Sequence, residues 1–243
     1  MAPGMDSETV LSTLREGEIT MQGEFVWGSN YTFLAEIRYN DTTLAAVYKP
    51  SRGQRPLWDF APATLAHREA AAYLVSQALG WDLVPPTIYR RRAPVGAGSL
   101  QLFVEHDPEY HYFNMTPDDR QRLRPVALFD LLINNADRKG SHILRDLDGH
   151  LWLIDHGLCF HEEDKLRTVI WDFSGEPIPE NLLADLRQFR QVLDLSLEET
   201  VGLKKHLSQT EILALAERTS ALLDSGRFSN PPEERRAYPW PPV

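Results

Sequence analysis

Residues 128–160 read LFDLLINNADRKGSHILRDLDGHLWLIDHGLCF, and no other stretch limits the fold as tightly. Two acidic residues in it, Asp137 and Asp155, each follow an apolar run and precede residues that cannot continue a regular element. Between them an alternating segment at 142–145 meets the turn 146–149 and a second apolar segment at 151–154. Asp148-Gly149 is a strong hairpin signal. A hairpin here sets Asp137 before its first strand and Asp155 after its second. The outer ends of an antiparallel hairpin lie side by side, so the two carboxylates converge. Like charges held together are costly unless a cation sits between them. Mg2+ takes oxygen ligands from one or two carboxylates together with phosphate oxygens. The stretch therefore points to a metal–phosphate site.

The chain before it changes character by periodicity. Residues 6–17 carry helical spacing through Val10, Leu11 and Leu14 up to Gly17. Residues 19–27, 31–39 and 43–49 are rich in β-branched and aromatic side chains, separated by Gly28-Ser29-Asn30 and Asn40-Asp41. That pattern predicts a three-strand meander. Gly28-Ser29-Asn30 reads either as a plain hairpin turn, the commoner use of such residues, or as a loop laying N–H groups over phosphates. Lys49 ends the third strand after Ala46-Val47-Tyr48; pointing inward it needs a buried anionic partner, and pointing outward it is an edge lysine. Residues 62–79 read as a helix opened by Pro62 and closed by Gly80, with Glu69 beside a stripe of Leu65, Ala72 and Leu79. Glu69 is the natural partner of an inward Lys49, and otherwise a solvated boundary residue.

Strands are expected at 88–91 and 100–104, and a connector at 105–114. A helix start at Thr116-Pro117 restarts near Pro125 and buries Val126, Leu128, Phe129, Leu132 and Ile133. Residues 161–179, opening on His161-Glu162-Glu163-Asp164, read as a mobile substrate-facing loop. Helices are expected over 180–193 and behind two capping boxes, 196–199 and 208–211. The Pro-rich residues 226–243 are expected to lack regular structure.

The order is strands with one helix, then helices with one hairpin, a two-lobed α+β arrangement. Its expected parts are an N-lobe at 1–105, a C-lobe at 106–225 and a tail at 226–243. A chain of 243 residues is long enough for two lobes around a cleft. A net charge of −10 argues against a nucleic-acid partner and against attraction to anionic lipid. No apolar run reaches the length of a membrane span, no signal-peptide pattern opens the chain, and the single Cys159 suits a reducing compartment. A cytoplasmic location is expected.

Five segments in this order resemble the phosphatidylinositol 3- and 4-kinase-like superfamily, over roughly residues 22–160. They are Val47-Tyr48-Lys49-Pro50, Arg68-Glu69, Val84-Pro85-Pro86-Thr87, the run GSLQLFVE at 98–105, and the acidic pair of motifs. The pair, Asn135-Ala136-Asp137-Arg138 and Ile154-Asp155-His156-Gly157, is most similar to the type II phosphatidylinositol 4-kinase branch. The resemblance implies a two-lobed protein-kinase-like fold and an ATP-dependent phosphotransferase. Lys49 would contact the α- and β-phosphates, held by Glu69, with Gly28, Ser29 and Asn30 covering them. Backbone groups of Phe103 and Val104 would pair with adenine between the apolar walls Val47 and Ile154. Asp155 would bind Mg2+ or Mn2+ with His142 as second ligand, and Asp137 would take the proton of an acceptor hydroxyl.

His142 stands where the branch carries Asn, and imidazole suits Mn2+ better than Mg2+; His156 also replaces an Asn. A protein Ser/Thr or a soluble polyol is the expected acceptor, because the acidic opening at 161–164 would repel an anionic headgroup. The alternatives are a phosphatidylinositol kinase and a nucleotide-binding pseudokinase acting through a partner. A zinc hydrolase built on His142, His150, His156 and His161 is a minor rival, without the spacing of a known zinc motif.

Overall fold

The computed structural model describes residues 5–24, 31–52, 54, 57–195 and 202–243, which form two lobes. Helix α1 (Ser7–Glu16) opens on Asp6, whose carboxylate accepts from Thr9 N–H. It packs on an antiparallel sheet of β1 (Glu18–Glu24), β2 (Phe33–Tyr39), β3 (Thr42–Pro50), β4 (Thr87–Arg90) and β5 (Gly98–Leu102), in the order β1-β2-β3-β5-β4. Strand alternation divides β3. Leu44, Ala46 and Tyr48 are buried with Val10 and Leu14 of α1, so Val47 and Lys49 point to the opposite face. The strand expected at 100–104 starts two residues earlier, Gly98 and Ser99 pairing with Pro50 and Lys49 as the first residues of β5.

Helix α2 (Leu65–Leu79) covers that opposite face. It begins at Leu65 rather than Pro62, because Ala63 has φ +61°, which no right-handed helix accommodates. Gly80 ends it at φ +68°. The expected single stripe is too narrow: Ala66, Arg68, Glu69, Ala70, Ala71, Ala72 and Val75 are all buried. The cause is position, since α2 packs against β4 and β5 on one side and the helical lobe on the other.

The second lobe contains α3 (Pro117–Gln121), capped by Thr116, α4 (Arg124–Ile133), the hairpin β6 (Ile143–Arg145) and β7 (Leu151–Leu153), α5 (Glu180–Leu195) and α6 (Gln209–Ser225). Ser208 and Glu211 form the capping box of α6; the box expected at 196–199 lies outside the described residues. Phe129, Leu132, Leu153, Phe160, Leu186 and Leu215 lie in one core with the lobe-facing residues of α2.

Residues 161–179, expected as a mobile substrate-facing loop, contain no helix or strand but are packed against the helical lobe. Leu166, Val169, Ile170 and Phe173 are buried in the lobe. Asp164 pairs with Arg235 and Glu163 with Lys165, and Glu162 and Asp164 line a separate cavity of about 520 Å3. Residues 226–243 contain no helix or strand, yet they lie along the surface that 161–179 provides. Among the described residues no helix is long and apolar enough to cross a membrane.

Candidate active site

The cleft between the lobes is built from β3, α2 and the two ends of the β6–β7 hairpin. Lys49 points into it from β3 and places Nζ 2.7 Å from Glu69 Oε1 and 3.1 Å from Asp155 Oδ1. Glu69 is nearly fully buried, and its second oxygen accepts the His156 N–H at 3.0 Å. One carboxylate therefore ties the sheet's lysine to the segment carrying Asp155. Burial depresses the Lys49 ammonium, but Asp155 and Glu69 outweigh it and leave its pKa above the ordinary lysine value. Asp155 answers in kind: Lys49 holds its carboxyl well below the usual range.

Asp155 adopts φ +63°, in the left-handed region. A non-glycine residue pays about 1–3 kcal/mol for such a conformation and keeps it only when its surroundings enforce it. Here they do so on both sides. Ile154 N–H donates to His142 O at 3.1 Å, Ile154 O accepts from Arg138 at 3.0 Å, and Glu69 grips His156. At Gly157 a Cβ would stand 3.3 Å from the Leu65 Cβ, so glycine lets this segment pass against the first turn of α2.

Asp137 follows α4, which stops at Asn134 with φ +53°. The Asn134 side chain then bonds His161 O, Glu163 O and Lys165 N–H, fixing the turn. Asp137 N–H donates to Asn135 Oδ1 at 3.0 Å. Its carboxylate lines the same cavity of about 330 Å3 as Lys49, Glu69 and Asp155. Burial, with the Asp155 charge added, pushes its pKa up to about 6 against the pull of Lys139 and Arg167. Lys139 Nζ stands 3.7 Å from Asp137 Oδ2. Such a carboxyl, deprotonated at neutral pH yet basic for its type, suits proton abstraction.

Under these two segments lies a residue whose role sequence reading did not weigh. Arg138 is wholly buried and bonds Asp130 through Nε at 3.0 and 3.1 Å. Its other nitrogens reach Ile154 O, His142 O and His156 Nε2. The Asn-x-Asp-Arg motif marked Arg138, but only the fold reveals it as the tie between the two acidic segments.

A divalent cation has two protein donors on offer. His142 Nε2 lies 3.4 Å from Asp155 Oδ2, and burial lowers the His142 pKa to about 4, leaving the ring neutral. Ligation through Nε2 places the ring proton on Nδ1. The contact that opposes this, from Lys139 N–H to Nδ1, is 3.5 Å long and therefore weak. One imidazole and one carboxylate match a cation that completes its shell with phosphate oxygens and water, and the imidazole favours Mn2+. His156 is no part of this set, being fully buried with Nε2 against Arg138. The histidine-cluster rival fails on placement: His150 bonds Asp82 O and His161 bonds Asp59 O. Among the described residues no three of His, Cys, Asp and Glu gather as a metal cluster.

Val47, Phe103, Val104 and Ile154 lie outside the lining of the cavity that Lys49, Asp137 and Asp155 share. Val104 packs with Ile154, Leu144 and Trp152. Phe103 and Val104 line a cavity of about 380 Å3 that includes Ala45 of β3. Phe103 N–H is spent on Ala45 O, and Val104 O accepts from the His106 ring. Val47 shares the Lys49 face of β3. Gly28, Ser29 and Asn30 lie outside the described residues.

A sequence model described as "Phosphatidylinositol 3- and 4-kinase" matches residues 60–210. Protein Rv2133c of Mycobacterium tuberculosis is 41% identical over 265 aligned positions, covering 95% of this chain and 94% of that protein. Phosphatidylinositol 4-kinase gamma 4 of Oryza sativa subsp. japonica is 33% identical over 124 residues, 44% of this chain but only 22% of its own length. Among solved structures, the Golgi casein kinase with Mn/ADP bound superposes with a TM-score of 0.54 at 16% identity, over 90% of this chain and 75% of that one. That likeness establishes the two-lobed kinase-like fold.

Proposed function

The chain belongs to the phosphatidylinositol 3- and 4-kinase family, and from that membership we propose that it moves the γ-phosphate of ATP to an acceptor hydroxyl in the cleft between its lobes. One observation carries the reading: Lys49 is held between Glu69 and Asp155 across a cavity that Asp137 also lines. Phosphoryl transfer asks mainly for positioning and charge neutralisation, and this set supplies both. Lys49 contacts the α- and β-phosphates, fixed by Glu69. Asp155 and His142 hold the divalent cation, which when bound neutralises charge on the phosphate oxygens. Asp137 takes the acceptor's proton. Backbone groups of Phe103 and Val104 are assigned to adenine, with Val47 and Ile154 as its walls. Mn2+ and ADP in the Golgi casein kinase structure support this choice of nucleotide and metal.

A protein Ser/Thr or a soluble polyol remains the first reading of the acceptor. Asp164 and Glu163 are paired with Arg235 and Lys165, so the acidic opening at 161–164 repels an anionic headgroup less than its sequence suggests. Lys139 and Arg167, the cations acting on Asp137, favour a second reading in which the acceptor carries negative charge, as a phosphoinositide does. The test incubates the protein and its Lys49→Ala, Asp137→Ala and Asp155→Ala variants with labelled ATP and Mg2+ or Mn2+. A protein extract, polyols and phosphatidylinositol vesicles are offered separately as acceptors. Transfer by wild type that all three variants lose supports the proposal, and the labelled fraction names the acceptor. Thermal stabilisation by ATP without transfer to any acceptor overturns it in favour of a pseudokinase.

A further inference from the structure

Residues 226–243 show no regular element, yet their hydrogen bonds lead step by step to the segment that carries Asp137. Gly226 ends α6 in the left-handed conformation, and Ile178 N–H donates to its carbonyl at 2.9 Å. Phe228 exchanges bonds with Glu176 and Gly175 and is buried beside Phe173. Further along, Arg235 grips Leu166 O and Asp164. Ala237 O accepts from both Thr168 N–H, at 3.1 Å, and Trp171 Nε1, at 3.2 Å. Last, Pro242 O accepts from Gly140 N–H at 2.8 Å.

Residues 167–169 form the layer between. Arg167 N–H donates to Asn135 O, Arg138 N–H to Arg167 O, and Val169 N–H to Arg138 O, at 2.9, 3.0 and 3.2 Å. The segment 135–140 is thus gripped along its length by 167–169 and at its far end by Pro242. Gly140 is pressed from another side: a Cβ there would meet the Phe113 ring at 2.9 Å and Tyr112 Cβ at 3.3 Å. Proline suits such a strap. It has no N–H that needs a partner, its carbonyl still accepts, and its fixed φ reduces the entropy lost on ordering.

We infer that residues 226–243 are a positioning strap for the segment bearing Asp137, and so a working part of the acceptor side of the site. The inference rests on Asp137 as proton acceptor. A general base acts within about 2.6–3.2 Å of its proton, and a misplacement of about 1 Å costs on the order of 10²-fold in rate. The bond from Gly140 to Pro242 lies three residues from that carboxylate, while Lys49 and Glu69 are held from the other lobe. Losing it impairs transfer and spares ATP binding.

The test deletes residues 239–243, which removes the Pro242 acceptor and retains the Ala237 and Arg235 contacts. Leu193→Ala, in the core of the helical lobe, serves as a control for general destabilisation. Expected for the deletion are a fall in kcat of at least about tenfold, a KM for ATP within twofold of wild type, and faster amide exchange confined to 137–142. Leu193→Ala should lower the melting temperature with kcat retained below the transition. Insertion of two glycines after Tyr238, which moves Pro242 out of register, is read in the same way should the deletion not fold. A kcat within twofold of wild type, or unchanged exchange at 137–142, overturns the inference; so does a kcat loss that merely tracks melting temperature in both variants. A wild type that transfers no phosphate refutes the kinase reading instead, and exchange at 137–142 still decides the strap.

Discussion

Replacing Asp130 by Ala should be among the most damaging single changes outside the cleft. Asp130 and Arg138 both have side chains with 0% exposure. The Asp130 carboxylate accepts two bonds from Arg138 Nε, one from Asn135 Nδ2 and one from Thr168 Oγ1. Burial pushes its pKa above the ordinary aspartate value in spite of the Arg138 charge, and in an intact buried pair the cost of desolvation offsets most of the attraction. Removing one partner is different, because the guanidinium is then left buried without a counter-charge. Breaking such a pair costs about 3–5 kcal/mol, a large share of the roughly 5–15 kcal/mol that holds a domain folded. For a chain of this size that corresponds to a fall in melting temperature of roughly 6–20 °C. Urea unfolding followed by two probes measures it, coincident transitions licensing the two-state treatment. The double variant Asp130→Leu/Arg138→Met removes charge and counter-charge together. Against its own singles, Asp130→Leu and Arg138→Met, it should show a coupling energy of about 2 kcal/mol or more, and it should be no less stable than Asp130→Leu. A cost below about 1 kcal/mol for Asp130→Ala, or additivity of Asp130→Leu and Arg138→Met in the double variant, would refute the reasoning.

Three further outcomes follow from the cleft. Asp137 must be deprotonated to accept a proton, and its pKa is pushed to about 6, so kcat/KM should fall as pH drops through about 6 and level off above it. Lys139→Met removes an opposing cation and should move that break upward; a break near the usual carboxylate value would contradict it. His142→Asn exchanges imidazole for an amide oxygen and should shift the ratio of Mg2+- to Mn2+-supported rate towards Mg2+ by on the order of tenfold, while an unchanged ratio would remove His142 from the metal set. Glu69→Gln keeps an acceptor for His156 N–H but loses the charge that fixes Lys49. It should lower kcat/KM on the order of 10²-fold with little change in melting temperature, and equal losses in both would make Glu69 a packing residue.

What could be read from the sequence depended on how far apart the deciding atoms lie along the chain. Asp6, Thr116 and Ser208 cap helices through residues three positions on, and the turn at Asp148-Gly149 closes a hairpin whose strands adjoin it. Such interactions are decided locally, and these were legible. The start of α2 was not, because Ala63 takes a left-handed φ that its own side chain does nothing to favour. The packing of 161–179 is hidden in the sequence for a related reason. Its polar residues suggest solvent, but Asp164 is claimed by Arg235 and Thr168 N–H by Ala237, partners that only folding supplies.

The cleft itself falls between these cases. Lys49 and Glu69 were each ambiguous, since an edge lysine and a boundary glutamate are the commoner uses of such residues. Only their shared neighbours decide the matter: Lys49 lies on the β3 face opposite the α1 core, and α2 is the helix that covers that face. Motif order therefore anticipated the ion pair where periodicity could not. Arg138 marks the limit of the same method. A motif names the residue, but whether its guanidinium meets solvent, phosphate or a buried carboxylate depends on Asp130, which lies eight residues earlier within the apolar run of α4. A charged residue inside such a run is costly unless paired, so Asp130 was itself a signal that a buried cation must lie nearby, and Arg138 is that cation.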